Sequence, residues 1–141
     1  MLITRKLEFS ASHVCRNPEL SEEENRRIFG AEANPRGHGH NYVVEVSVSG
    51  QPDSVTGMVM DLKELKEVLQ REIAEPYDHR FLNHETPPFD RVVPTAENIA
   101  LDIWNRLSPS VSGPNRKLHC VRVYETADLF VEYFGDAPCS A

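Results

Sequence analysis

From His38 to Val48 every second residue belongs to one set: His38, His40, Tyr42, Val44, Val46 and Val48 share a parity, and Asn41, Glu45 and Ser47 take the other. Side chains of a strand alternate between faces, so this segment reads as a half-buried strand that carries two imidazoles on its apolar side. Residues 2–13 repeat the pattern, with Ile3, Leu7, Phe9, Ala11 and His13 opposite Thr4, Lys6, Glu8 and Ser10. Two such strands need a partner layer to cover their apolar face, and each brings histidine to it.

The partner layer is legible as two helices. Asp61 can cap a helix running to about Glu75, just ahead of Pro76, with Leu62, Leu65, Val68, Leu69 and Ile73 as its apolar stripe. Thr95 can cap a second, in which Ala96, Ile99, Ala100, Ile103, Trp104 and Leu107 recur at helical spacing until Pro109 ends the pattern. Asp78, His79, Pro87 and Pro88 fall in the loop between them. Two further strands, LHCVRVYET and LFVEYFG, are separated only by Ala127 and Asp128, which requires a hairpin. The expectation is a single α+β domain over 1–141: a four-stranded antiparallel sheet in the order ββααββ with both helices on one face.

With 141 residues, 40% of them apolar, the chain can bury one core. No basic segment leads into an apolar run at the N-terminus, and no stretch approaches the length of a membrane span, so a cytoplasmic protein is expected. Cys15, Cys120 and Cys139 are odd in number and lack CxxC spacing, which fits a reducing compartment. A net charge of -7 disfavours nucleic acid as a partner. It leaves room for an anionic small substrate, because Arg16, Arg26, Arg27 and Arg36 gather around the candidate site residues.

His38 and His40 stand two apart on a strand and can reach one ion, and His13 arrives on the apolar parity of the first strand. Three neutral imidazoles leave a fourth position open, the pattern of a catalytic zinc site. A lone histidine on an apolar face is more often a hydrogen-bonded core residue, and His84 and His119, which carry no motif, are read that way. In the third strand Glu125 shares parity with His119, Val121 and Val123. A carboxylate there is costly unless paired, and adjacent N–H donors of a flat heterocycle would pair it. Glu97 sits in the first turn of the second helix, where the helix dipole favours a carboxylate in any case.

Six segments carry a resemblance: FSASH from Phe9, NPRGHGHNY from Asn34, VTGMVMDLKEL from Val55, YDHRFLN from Tyr77, PTAEN from Pro94 and VYET from Val123. In this order and over nearly the whole chain, they resemble the 6-pyruvoyltetrahydropterin and 6-carboxytetrahydropterin synthase family. The resemblance implies the T-fold, a lyase acting on a pterin, zinc held by His13, His38 and His40, and the pterin ring gripped by Glu125 with Thr95 and Glu97 nearby. It implies a proton relay of Asp78 and His79, and a homohexamer, a dimer of trimers whose active sites lie between subunits.

One departure matters. Family members place a cysteine six residues before HGH in the pyruvoyl-forming enzymes and four before it in the carboxy-forming ones; here those positions hold Glu32 and Asn34. The glutamate form resembles a branch that cleaves the side chain of 7,8-dihydroneopterin triphosphate to 6-hydroxymethyl-7,8-dihydropterin, a folate precursor. Glu32 is then the expected general base. The alternatives are pyruvoyl or carboxy synthase activity recruiting Cys15 or another base, and a catalytically silent pterin-binding protein.

Overall fold

A computed structural model describes residues 1–135; Cys139 lies outside the described residues. The chain order is β1 (Leu2–His13), α1 (Glu22–Phe29), a 3-10 turn (Gly30–Ala33), β2 (His38–Gly50), α2 (Leu62–Leu69), a π turn (Gln70–Ala74), α3 (Glu75–Tyr77), β3 (Arg80–Phe81), α4 (Leu82–Glu85), α5 (Ala96–Val111), β4 (Arg116–Thr126) and β5 (Leu129–Tyr133). The sheet order is β3-β1-β2-β4-β5. Four strands are antiparallel neighbours as expected, and the two residues of β3 add a parallel fifth at the edge of β1, so the sheet is mixed rather than purely antiparallel. Two residues cannot display an alternation, which is why the sequence gives no sign of β3.

The alternating strands divide as their parity dictates. Tyr42, Val44, Val46 and Val48 are fully buried, and one contiguous core joins them to Leu65, Val68, Leu69 and Ile73 of the α2 region and to Ile99, Ile103 and Leu107 of α5. On the open face a row of charge crosses the sheet: Lys6, Glu45, Arg122 and Glu132 are successive register partners and pair in turn, with Lys6 to Glu45 at 3.2 Å and Arg122 to Glu45 at 3.1 Å. Among the described residues no helix is long and apolar enough to cross a membrane.

Both prolines taken as helix stops lie inside helical structure. The first helix continues past Glu75 and carries Pro76 within α3. A proline lacks the N–H for the ladder and crowds the carbonyl four residues back. Here the ladder widens just ahead of it, with the Glu75 N–H bonding the Gln70 carbonyl five residues back. Pro109 lies inside α5, which runs two residues further to Val111. Asp61 and Thr95 do cap their helices, accepting from the Lys63 and Asn98 N–H groups. The acidic stretch after Leu20 folds into α1, closed by a reciprocal capping box of Ser21 and Glu24.

Strict alternation also fails in β4. A register shift opposite Ser47 and Val48 lets Leu118 and Val121 both enter the core, so His119 leaves the face of the valines and its ring rests at 5.6 Å from Phe134. Val121, Val123 and Glu125 keep their common side.

Ile103→Ala is expected to cost about 2–5 kcal/mol of stability, because the side chain is fully buried and leaves a cavity, while Leu101→Ala on the same helix, 38% exposed, changes it by less than about 1 kcal/mol. Urea denaturation at matched protein concentration measures both.

Candidate functional site

The site begins with a register. In the β1–β2 ladder His13 pairs with His38, and Ala11 with His40, so three imidazoles meet at the end of two adjacent strands on their buried face. Gly37, just before β2, has φ of 74°, and a Cβ there would stand 3.1 Å from the His13 carbonyl; a glycine lets the chain enter the ladder this close to β1. The three rings lie at centroid distances of 4.6, 4.9 and 5.2 Å and stand roughly perpendicular to one another. Their nitrogens all come within 4.8 Å of each other.

The hydrogen bonds fix which nitrogens face inward. His13 Nδ1 lies 2.7 Å from the Pro94 carbonyl, which can only accept, so Nδ1 carries the proton and Nε2 keeps its lone pair. His13 Nε2 and His38 Nε2 are 3.0 Å apart. Two nitrogens bound to one zinc at about 2.0–2.1 Å in tetrahedral geometry would be separated by about 3.3–3.4 Å, so the pair is close to that spacing. His40 Nε2 is buried with no hydrogen-bond partner among the described residues, although it comes within 3.4 Å of Glu125 Oε1. A buried nitrogen without a partner, beside two others with converging lone pairs, fits a divalent ion such as zinc. Burial, which outweighs the bond to Pro94, lowers His13 from 6.5 to about 4, and the neutral form is the one a metal needs.

Glu125 points toward the same place. A second register shift, between Tyr124 and Thr126 against β5, leaves it out of the regular ladder and its side chain only 13% exposed. Burial raises its pKa, opposed by His40, and the carboxylates of Glu32 and Glu97 add to the rise. This is a carboxylate in want of donors.

Glu32 sits in the 3-10 turn with its side chain exposed, and its carbonyl accepts from the Cys15 N–H at 2.9 Å, which ties the turn to the chain just after His13. Cys15 itself is buried, at 3% exposure. Burial first, then the neighbouring Glu32 carboxylate, pushes its thiol up to about 12. Thr95 is engaged as the cap of α5, and Glu97 is exposed on its first turn. The Pro94 carbonyl, which orients His13, has no signature as a functional group in the sequence because it is backbone.

Asp78 and His79 are joined to each other but not to the triad. His79 adopts φ of 60°, a left-handed turn that folds its ring back so that Nδ1 meets Asp78 Oδ1 at 3.0 Å. Asp78 accepts from the Ser10 N–H at 3.0 Å, and the His79 N–H donates to the Ser10 carbonyl. Both bonds are to the Ser10 backbone, so the pair is anchored at the edge of β1 away from β2, next to β3, with the His79 ring 83% exposed.

The chain matches the family model described as 6-pyruvoyl tetrahydropterin synthase over residues 2–136. It belongs to that family. The human 6-pyruvoyl tetrahydrobiopterin synthase is 45% identical over 134 residues, 95% of this chain and 91% of that protein. The 6-carboxy-5,6,7,8-tetrahydropterin synthase of Rickettsia felis is 30% identical over 92% of this chain and 96% of its own length. The solved 6-pyruvoyl tetrahydropterin synthase of Caenorhabditis elegans superposes with a TM-score of 0.90 at 36% identity, covering 96% of this chain and 95% of that one. The fold is therefore the T-fold of the 6-pyruvoyl tetrahydropterin synthases, and the protein is an enzyme of pterin biosynthesis.

The Ser10 N–H bond holds Asp78 below the usual carboxylate range, with His79 adding to it. A carboxyl depressed on folding contributes stability above its unfolded pKa and loses it as pH falls through the folded one. The stability difference between the native protein and Asp78→Ala is expected to be full near pH 6 and to fade as the pH is lowered below about 4, read by denaturation at stepped pH.

Proposed function

We propose that the protein is a zinc-dependent lyase that cleaves the side chain of 7,8-dihydroneopterin triphosphate to give 6-hydroxymethyl-7,8-dihydropterin, with Glu32 as the general base. The observation that carries this is the pairing of an exposed carboxylate on the turn beside the triad with a cysteine sealed behind it. A pterin synthase with a thiol base would need that thiol at the mouth of the site; Cys15 is buried and Glu32 is not.

The geometry supports the following roles. His13, His38 and His40 would hold the ion, whose contribution is Lewis acidity toward the side-chain hydroxyls. Glu125 accepts paired N–H bonds from the amino-pyrimidinone edge of the ring, and Thr95 and Glu97 lie on the neighbouring helix start. Glu32 takes the proton of the 2'-hydroxyl. As C2' becomes an aldehyde carbon, the C1'–C2' bond breaks and its electron pair moves into the ring C=N at C6. A proton delivered to C1' completes the product, and the phosphorylated two-carbon aldehyde leaves, so no oxidant or reductant is consumed. A histidine oriented by a carboxylate suits that proton delivery near neutral pH, which is the role given to Asp78 and His79.

The pair is held at the edge of β1 with the His79 ring exposed and makes no bond to its own triad, which supports a reading in which it serves the triad of a second copy of the chain in a homohexamer. A cytoplasmic location accompanies this reading.

A second reading, formation of 6-pyruvoyltetrahydropterin, is favoured by the name of a relative such as the human protein, 45% identical to this chain. Incubating the metal-loaded protein with dihydroneopterin triphosphate and identifying the pterin by mass separates the two, and a pyruvoyl or carboxy product refutes the cleavage. Glu32→Ala is expected to lower kcat at least about 100-fold while Cys15→Ala stays within several-fold; the reverse order would remove Glu32 from its role. His38→Ala should abolish retention of one zinc per chain after dialysis. Mixed assemblies of Glu32→Ala and His79→Ala chains should recover activity that neither possesses alone, if the site is shared between subunits.

A further inference from the structure

A cavity of about 500 Å³ borders the turn that carries Glu32. Ala31 and Ala33, the two neighbours of Glu32, form part of its wall, and so do Val14 and Arg16, one and three residues after His13. From α1 come Arg26 and Glu22. The cavity is thus next to the triad along two separate stretches of backbone, and its volume suits a small-molecule group.

Its charge runs against that of the protein. Two guanidinium groups and one carboxylate border it, an excess of positive charge in a chain whose net charge is -7. Arg71, Arg80, Arg91, Arg106, Arg116 and Arg122 are all held in ion pairs. Arg16 and Arg26 are exposed and have no ion-pair partner among the described residues. Both line the same cavity, and each guanidinium is a planar fork of donors. That is the donor arrangement that matches phosphate oxygens in bidentate fashion.

We infer that this cavity is the subsite for the polyphosphate end of the substrate, with Arg16 and Arg26 as its ligands and Glu22 limiting how much negative charge it accepts. The inference rests on the reading of a phosphorylated pterin as substrate, and it adds where the phosphates go. Arg16 leaves the chain three residues after His13, and Arg26 is carried by the helix that runs into the Glu32 turn, so phosphate bound there would anchor the side chain on the base side of the triad.

Two measurements on the full-length, metal-loaded protein test this. Isothermal titration with inorganic tripolyphosphate is expected to show binding that weakens at least about tenfold in each of Arg16→Ala and Arg26→Ala, more in the double variant, and strengthens in Glu22→Gln. Both arginines are exposed, and circular dichroism confirms that the variants remain folded. Tripolyphosphate affinity equal in native protein and double variant would mean that the anion sits on the metal or elsewhere, and would overturn the assignment. In turnover, the double variant should raise KM for dihydroneopterin triphosphate at least about tenfold with kcat nearly unchanged, while KM for dephosphorylated dihydroneopterin does not move. Equal loss on both substrates also overturns it. A protein that binds tripolyphosphate through these arginines yet converts no pterin would sink the functional reading and leave the anion site standing.

Discussion

The antiparallel pairing of His13 with His38 places two imidazole nitrogens 3.0 Å apart at the end of a ladder whose remaining pairs are mostly apolar on that face, and the rest of the site is arranged around this contact. Because side chains alternate, the register that buries Val44, Val46 and Val48 is also the register that brings His13, His38 and His40 together. A slip by one residue would turn the valines to water and scatter the histidines at once. Fold stability and site geometry are thus set by the same pairing.

What surrounds the triad shows how a buried polar cluster is kept in a defined state. The Pro94 carbonyl fixes the tautomer of His13, burial keeps that ring neutral, and Glu125 stands by His40 without satisfying it. Cys15 and Glu32 lie close together in contrasting settings. One is enclosed and held as a thiol, the other is exposed and carried by a short turn, and a single backbone hydrogen bond keeps them in step. Arg16 and Arg26, with no ion-pair partner among the described residues, line the cavity beside that turn.

Much of this was legible in the chain. The alternation in β1 and β2, the caps Asp61 and Thr95, and the two-residue hairpin loop gave four strands and two helices in order, because each depends on local chemistry with a fixed period. The parity of His13 with Phe9 and of His38 and His40 with Tyr42 was enough to place three imidazoles on one face. Pro76 and Pro109 misled, since a π turn and a position near the helix end let each remain in a helix. His119 misled for a related reason: a bulge breaks the period of two and no residue type announces it.

The sequence by itself determined which side chains belong to the buried face and, through its motifs, which family the chain joins, because periodicity and residue identity are carried by the chain alone. Only the tertiary structure decided which of those side chains meet. The 2.9 Å bond that sets Cys15 against the turn of Glu32, the Pro94 carbonyl behind His13, and the anchoring of Asp78 and His79 on the Ser10 backbone all join residues remote in the chain. Distances of that kind follow from how the layers pack, and no local pattern encodes them.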